Sequence, residues 1–277
     1  MKITYLGTAA AEGFPAIFCN CKYCREARAL GGKNIRTRSQ SLINDDLLID
    51  FPPDAYSHFL SNGIEGHKIK HLLITHGHRD HFYQLDLLSR RAPYAHAMSI
   101  PNLQMICSAT AAQKYETAYE AFRGKAENEI TPMIIAPFES LTVGNYEITA
   151  LPARHMPGGE ALIYVIRGDK TLLYAHDTGY FFEEVFDYIK ENQIFFDMVS
   201  LDCTNVNIKV NDEGGHMGFE NISRLLIRLE EMGAINGKTL KYVNHFSHNG
   251  NPLHDYLEKE AEKYGCYVAY DGCAVEF

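Results

Sequence analysis

The sequence predicts a layered α/β sandwich, two β-sheets packed together and covered by helices outside, formed as one domain over residues 1–277. Three observations lead there. Strand-rich segments alternate with amphipathic helical periodicities. A buried strand, His71 to Thr75, delivers a histidine-rich loop at its C-terminal end, where α/β folds commonly place chemistry. No repeat, low-complexity tract or Pro/Ser-rich linker divides the chain, and 277 residues is a length that one continuous sandwich core can hold.

The elements follow in order. Residues 2 to 6 alternate as a strand, run into Gly7-Thr8-Ala9-Ala10-Ala11-Glu12-Gly13 and then reach a cysteine cluster, with a short helix from about 22 to 30. Ser41 to Ile43 and Leu47 to Asp50 flank Asn44-Asp45-Asp46, a turn composition, and read as a hairpin before a helix starting near Pro53. After the 71–75 strand, the spacing of Tyr115, Ala118, Tyr119 and Phe122 makes Ala109 to Arg123 helical. Strands are expected at Ile130 to Ile135, Tyr146 to Leu151, Ala161 to Arg167 and Thr171 to Ala175. Beyond Asp177 the order becomes helix (183–192), strand (198–202), helix (218–232), strand (240–244), helix (252–264) and a terminal hairpin.

Composition narrows the function classes. An apolar share of 46% with 12% aromatics is that of a globular protein. The formal charge of −9 disfavours stable nucleic-acid binding, since phosphate affinity is carried by clustered Lys and Arg, and favours a small substrate. No run approaches the roughly 18 apolar residues of a membrane span, and Met1 to Tyr5 reads as a strand rather than a signal peptide, so no membrane partner and a cytoplasmic location are expected.

His76, His78, Asp80 and His81 place four metal-ligand side chains in six residues, enough for one loop to feed two metals. An extended His76-x-His78 pair points two imidazoles the same way, and the turn through Arg79 aims Asp80 and His81 to a neighbouring position. The run resembles the His-x-His-x-Asp-His signature of the metallo-β-lactamase superfamily, whose αββα sandwich matches the predicted fold. That resemblance implies further ligands after later strands: His155 in Leu151-Pro152-Ala153-Arg154-His155, a bridging Asp177 in Ala175-His176-Asp177-Thr178-Gly179, and His245 in Tyr242-Val243-Asn244-His245. It assigns His76, His78 and His155 to one metal, Asp80, His81 and His245 to the other, and Asp177 to both. His176 is then a partner of a ligand or a structural histidine.

Cys19-x-Cys21-x-x-Cys24 gathers three thiolates suited to a tetrahedral structural zinc, with His248, three residues beyond His245, as the fourth ligand. Cys107, Cys203, Cys266 and Cys273 read as buried apolar thiols. Within the superfamily this insertion, with His-x-x-His near the C-terminus, resembles the phosphoribosyl cyclic phosphodiesterases of the carbon-phosphorus lyase pathway, though residues 83–135 match no motif. A related insertion occurs in a protein of pyrroloquinoline quinone biosynthesis, so it marks a subgroup rather than a substrate.

The expected activity is a two-metal hydrolase using a pair of zinc, manganese or iron ions on a small cyclic phosphodiester, of the phosphoribosyl 1,2-cyclic phosphate or 2′,3′-cyclic nucleotide type, with a homodimer implied by the relatives. Asp80 counts among the catalytic residues, and His216 in Gly214-Gly215-His216-Met217-Gly218 is the candidate proton donor. Asp202 and Thr204 orient imidazoles or simply cap a strand, and Arg79 and Tyr180 hold phosphate or pack. Two alternatives stand beside this. An RNA-processing endonuclease similar to the tRNA 3′ maturases would need a Gly- and Lys-rich arm, and none is visible. A non-hydrolytic accessory protein of cofactor biosynthesis would keep the ligands without turnover.

Overall fold

The computed structural model describes residues 1–121, 130–156 and 160–277. The chain begins with β1 (Lys2–Gly7), α1 (Lys22–Leu30), β2 (Gln40–Ile43), β3 (Leu47–Ile49), α2 (Ala55–Asn62) and β4 (His71–Leu73). Then come α3 (Gln84–Leu87), β5 (Leu103–Cys107), α4 (Ala109–Ala121), β6 (Ile130–Ile134), β7 (Ser140–Val143), β8 (Tyr146–Pro152), β9 (Leu162–Arg167) and β10 (Thr171–Ala175). The remainder is α5 (Glu183–Glu191), β11 (Met198–Asp202), α6 (Phe219–Glu231), β12 (Leu240–Asn244), α7 (His254–Glu262), β13 (Tyr267–Val268) and β14 (Cys273–Glu276).

The strands form two seven-stranded mixed sheets, ordered β14-β1-β2-β3-β4-β5-β6 and β13-β12-β11-β10-β9-β8-β7. The period of two along each strand decides which core a side chain joins. In β9 and β10, Leu162, Tyr164, Ile166, Leu172 and Tyr174 pack between the sheets with Ile3, Tyr5, Ile49 and Leu73. The intervening Ile163, Val165, Leu173 and Ala175 face outward against Val185, Phe186, Leu225 and Leu229 of α5 and α6. Both faces being covered explains the near-continuous apolar runs of these strands. Helix α6 buries Phe219, Ile222, Leu225, Leu226 and Leu229, a stripe of helical period. A fully buried leucine such as Leu225 contributes roughly 1.5–3 kcal/mol. The first sheet's outer face packs Leu72, Ile74, Met105 and Cys107 against Ala111, Ala112 and Tyr115 of α4. Helices outside two packed sheets are the predicted sandwich.

The β2–β3 hairpin has the expected register, with Ile43 opposite Leu47 and Ser41 opposite Ile49. Of the helix expected to reach Arg123, α4 accounts for residues to Ala121; Phe122 and Arg123 lie outside the described residues. Two strands escaped the sequence reading. β5 lies in the segment without a motif and pairs parallel to β4 and β6, and β7 pairs with β8 across a turn at Gly144, whose φ of 55° favours glycine. The terminal hairpin does not exist. β13 adds parallel to β12, whereas β14 adds antiparallel to β1 in the other sheet. Ala269, fully buried between the sheets, carries the chain across, so burial rather than local pairing decides these strands.

Candidate metal centre

Strand direction brings the site together. β10, β11 and β12 run parallel and in register, with Ala175 opposite Leu201 and Asp202 opposite Asn244. Their C-terminal ends therefore present Asp177, Asp202 and His245 side by side. β3 and β4 are parallel in the other sheet and end at Asp50 and the His76–His81 loop. Leu162 N donates to Thr75 O at 2.8 Å, tying the two sheets at this edge. Asp50, Asp177 and His245 hold φ values of 64°, 55° and 65°, left-handed conformations uncommon for residues with a side chain and concentrated at functional sites. The loop with His216 sits close because residue 179 is glycine: a Cβ there would meet Gly214 O at 1.8 Å.

Ligand-type atoms converge within 4.8 Å of one another in four groups: His76, His78, His155 and Asp177; Asp80, His81, Asp177 and His245; Asp177, Asp202, His216 and His245; and Cys19, Cys21, Cys24 and His248. In the first, His78 Nδ1 lies 3.0 Å from both His76 Nε2 and His155 Nε2. In the second, His81 Nε2 lies 3.2 Å from His245 Nε2, 2.9 Å from Asp177 Oδ2 and 3.3 Å from Asp80 Oδ2. Asp177 joins these groups and is almost wholly buried, and its Oδ1 makes no hydrogen bond although His216 Nδ1 stands 3.1 Å away. Ring nitrogens facing one another around a buried carboxylate with an unpaired oxygen are the donor set that fits two divalent cations sharing Asp177.

The far nitrogens of four histidines are held, and the hydrogen-bond network assigns their tautomers. His76 Nδ1 meets Thr75 Oγ1 at 3.0 Å, and that hydroxyl donates to Asp50. Nδ1 of His81 meets Asp50 Oδ2 at 2.7 Å, His155 Nδ1 meets Gly215 O at 3.1 Å, and His245 Nδ1 meets Thr204 Oγ1 at 2.8 Å. Each then offers Nε2 to the cluster. Burial and the neighbouring His81 push His76 down to about 4. For His81, burial acts downward but the Asp177 and Asp50 carboxylates outweigh it and hold it well above the ordinary value. Burial likewise opposes ionisation of Asp177, yet His245 and His81 keep it well below the usual carboxylate range.

His216 Nδ1 lies 3.1 Å from Asp202 Oδ2, and its side chain is 31% exposed. Burial pulls this imidazole down, but the Asp202 charge and hydrogen bond, followed by Asp177, bring it up to about 9. Asp202 also accepts from Thr204 N and Met217 N, so it and Thr204 orient His216 and His245 rather than only ending β11. His176 takes the structural role: its Nε2 pairs with Ser200 Oγ at 2.7 Å, away from the cluster, and burial holds it neutral. Tyr180 packs on Phe186 beneath the Arg224 guanidinium, and Arg79 is exposed. Asp50 is the site residue the sequence reading missed. It stands at the end of a hairpin strand, and only its left-handed backbone and long-range pairing with His81 mark it.

In the cysteine group, Cys19 and Cys21 Sγ lie 3.5 and 3.7 Å from His248 Nδ1. Cys21 caps α1 by accepting from Cys24 N, and Cys24 accepts from Ala16 N. The His248 contact brings the Cys21 thiol down to about 6, while burial pushes Cys24 up to about 12. All seven cysteines are free, and Cys107, Cys203, Cys266 and Cys273 are buried, as expected of core thiols. Three sulfurs and an imidazole at these separations suit a tetrahedral zinc.

The profile of the Beta-lactamase superfamily domain matches residues 47–243, more than half of the chain. The chain belongs to the metallo-β-lactamase superfamily. Coenzyme PQQ synthesis protein B of Klebsiella pneumoniae is 24% identical to it, over 99% of this chain and 98% of that protein. Among four curated relatives the aligned part spans from 17% to 99% of the relative's length. A diphosphatase from the PhnP family has a TM-score of 0.74 at 20% identity, covering 100% of this chain and 97% of that one. Zn(2+)-bound PqqB from Methylobacterium extorquens has a TM-score of 0.72 at 19% identity and covers both chains completely. These likenesses establish the sandwich, and the superfamily implies divalent metals and metal-dependent hydrolysis. Among the described residues no helix is long and apolar enough to cross a membrane.

Proposed function

We propose that this member of the superfamily is a phosphodiesterase acting on small cyclic phosphodiesters, of the phosphoribosyl 1,2-cyclic phosphate or 2′,3′-cyclic nucleotide type. His76, His78, His155, Asp80, His81 and His245 would hold two divalent cations, with Asp177 between them, and Cys19, Cys21, Cys24 and His248 a structural zinc. A cation pair of this kind supplies an activated water and neutralises the oxyanions of an in-line displacement at phosphorus. The observation that carries the reading is His216. Its Nδ1 is hydrogen-bonded to Asp202, which leaves Nε2 of this part-exposed ring as the atom to pass a proton to the departing ring oxygen. Water oxygen joins phosphorus, the ester bond to the ring oxygen breaks, and a phosphomonoester results.

A second reading, an accessory protein of cofactor biosynthesis that binds metal without hydrolysis, is favoured by the end-to-end similarity to coenzyme PQQ synthesis protein B. Turnover of bis(p-nitrophenyl) phosphate and a 2′,3′-cyclic nucleotide by manganese- or zinc-loaded protein separates the two. We expect hydrolysis by the wild type and a loss of about 10²–10⁴-fold in His216→Ala, the range of a positioned general acid. Metal-loaded protein that turns over neither substrate would reverse the order of the two readings.

A further inference from the structure

Between the His76–His81 loop and α4 lies a cavity of about 590 Å³. It borders both loops of the first metal position: Gly77 stands between His76 and His78, and Met156 directly follows His155. A substrate with its phosphorus in the histidine cluster would carry one substituent toward this space. Leu85, Ala118, Ala121 and Met156 give the wall an apolar surface wide enough to cover a planar ring.

Its polar lining is selective. Lys114 is largely engaged, with Nζ donating to Gly77 O at 2.7 Å and to Phe82 O at 3.4 Å, which braces the histidine loop. Glu160 is not: its Oε2 is buried without a hydrogen-bond partner. An unpaired carboxylate in the wall of a largely apolar cavity favours a ligand that brings N–H donors and disfavours one that brings a second phosphate or carboxylate, so of the two proposed substrate types the 2′,3′-cyclic nucleotide suits this space better than a phosphoribosyl cyclic phosphate.

We propose that the cavity receives a nucleobase whose edge presents paired N–H donors, of guanine type, with Glu160 accepting from that edge and Leu85, Ala118 and Met156 covering the ring. Uracil offers one such donor and adenine pairs its donor with an acceptor, so both fit the carboxylate less well. The inference deepens the phosphodiesterase reading and relies on it only for the place of the phosphate.

Free guanosine, which lacks phosphate, tests the cavity by itself. Its affinity, measured by saturation-transfer NMR titration with uridine as control, should exceed that of uridine in the wild type. Glu160→Gln, nearly the same size, should weaken guanosine at least about tenfold, the scale of a lost hydrogen bond to a charged group. Thr117→Trp, which fills the space from α4, should abolish it, with circular dichroism checking that both variants fold. In parallel, the kcat/KM ratio of 2′,3′-cyclic GMP over 2′,3′-cyclic UMP should fall by a similar factor in Glu160→Gln. Guanosine binding no tighter than uridine, or unaffected by Glu160→Gln, overturns the proposal. Binding that depends on Glu160 without turnover of either cyclic nucleotide supports the cavity assignment and overturns the phosphodiesterase reading instead.

Discussion

The two candidate metal regions are built in opposite ways. The histidine–aspartate cluster draws its side chains from the ends of strands in both sheets, and Asp50, Thr75 and Thr204 hold the far nitrogens of His81, His76 and His245. The cysteine group takes three of four donors from six consecutive residues, steadied by backbone N–H groups of the same turn. The first depends on the register of the whole sandwich, the second on one helix start and His248. They meet in a single segment, since His245 and His248 leave β12 together and Phe246 pairs with Thr8 and Ala10. Long-range assembly gives the histidine cluster its buried shared carboxylate, and local assembly gives the cysteine group its insulation.

Asp177→Asn should break this contrast most severely. The shared carboxylate is common to three of the four groups, so its loss should lower turnover by more than the 10- to 100-fold typical of an outer partner, and elemental analysis should show loss from the histidine cluster while one thiolate-bound metal is kept. Loss of the cysteine-bound metal as well would mean that the regions form one cooperative unit.

Asp50→Asn should act more mildly, about 10- to 100-fold in activity or metal affinity, because it leaves every ligand in place and disturbs chiefly the orientation and basicity of His81, which it touches directly, and less so His76, which it reaches only through Thr75. The expected signature is weakened binding at one of two positions, seen as two separated steps in a metal titration. A single unresolved step with wild-type affinity would show that Asp50 serves the fold and not the ligand.

Asp50 also marks the limit of what the sequence discloses. The His76–His81 loop and the cysteine spacing were legible because consecutive ligands at short spacing are a local pattern, and His155, Asp177 and His245 because a resemblance supplied their order. Asp202 showed only as a polar residue closing an apolar strand, with two roles open. Asp50 gave no signal: its partner is 31 residues away, and its positive φ belongs to the folded backbone. The same physics explains the strands. β9 and β10 carry their burial in a long apolar run, whereas β13 and β14 are short, and only the sheet edges already present decide where each pairs.

The smallest effect on turnover is expected from removing the cysteine group by Cys21→Ser together with Cys24→Ser. None of Cys19, Cys21 and Cys24 belongs to the histidine–aspartate groups, and the connection runs through Glu12, which accepts from Ser247 Oγ at 2.6 Å and from His248 N, and through Phe246. A structural metal contributes folding energy directly, so its loss should lower Tm on the order of 10 °C while turnover at low temperature changes only a few-fold. Calorimetry and a steady-state assay on the same preparation read both quantities. A fall in turnover as large as that of Asp50→Asn, with Tm unchanged, would mean that the cysteine loop positions His245 rather than stabilising the fold, and the distinction between a local and a long-range site would have to be redrawn at β12.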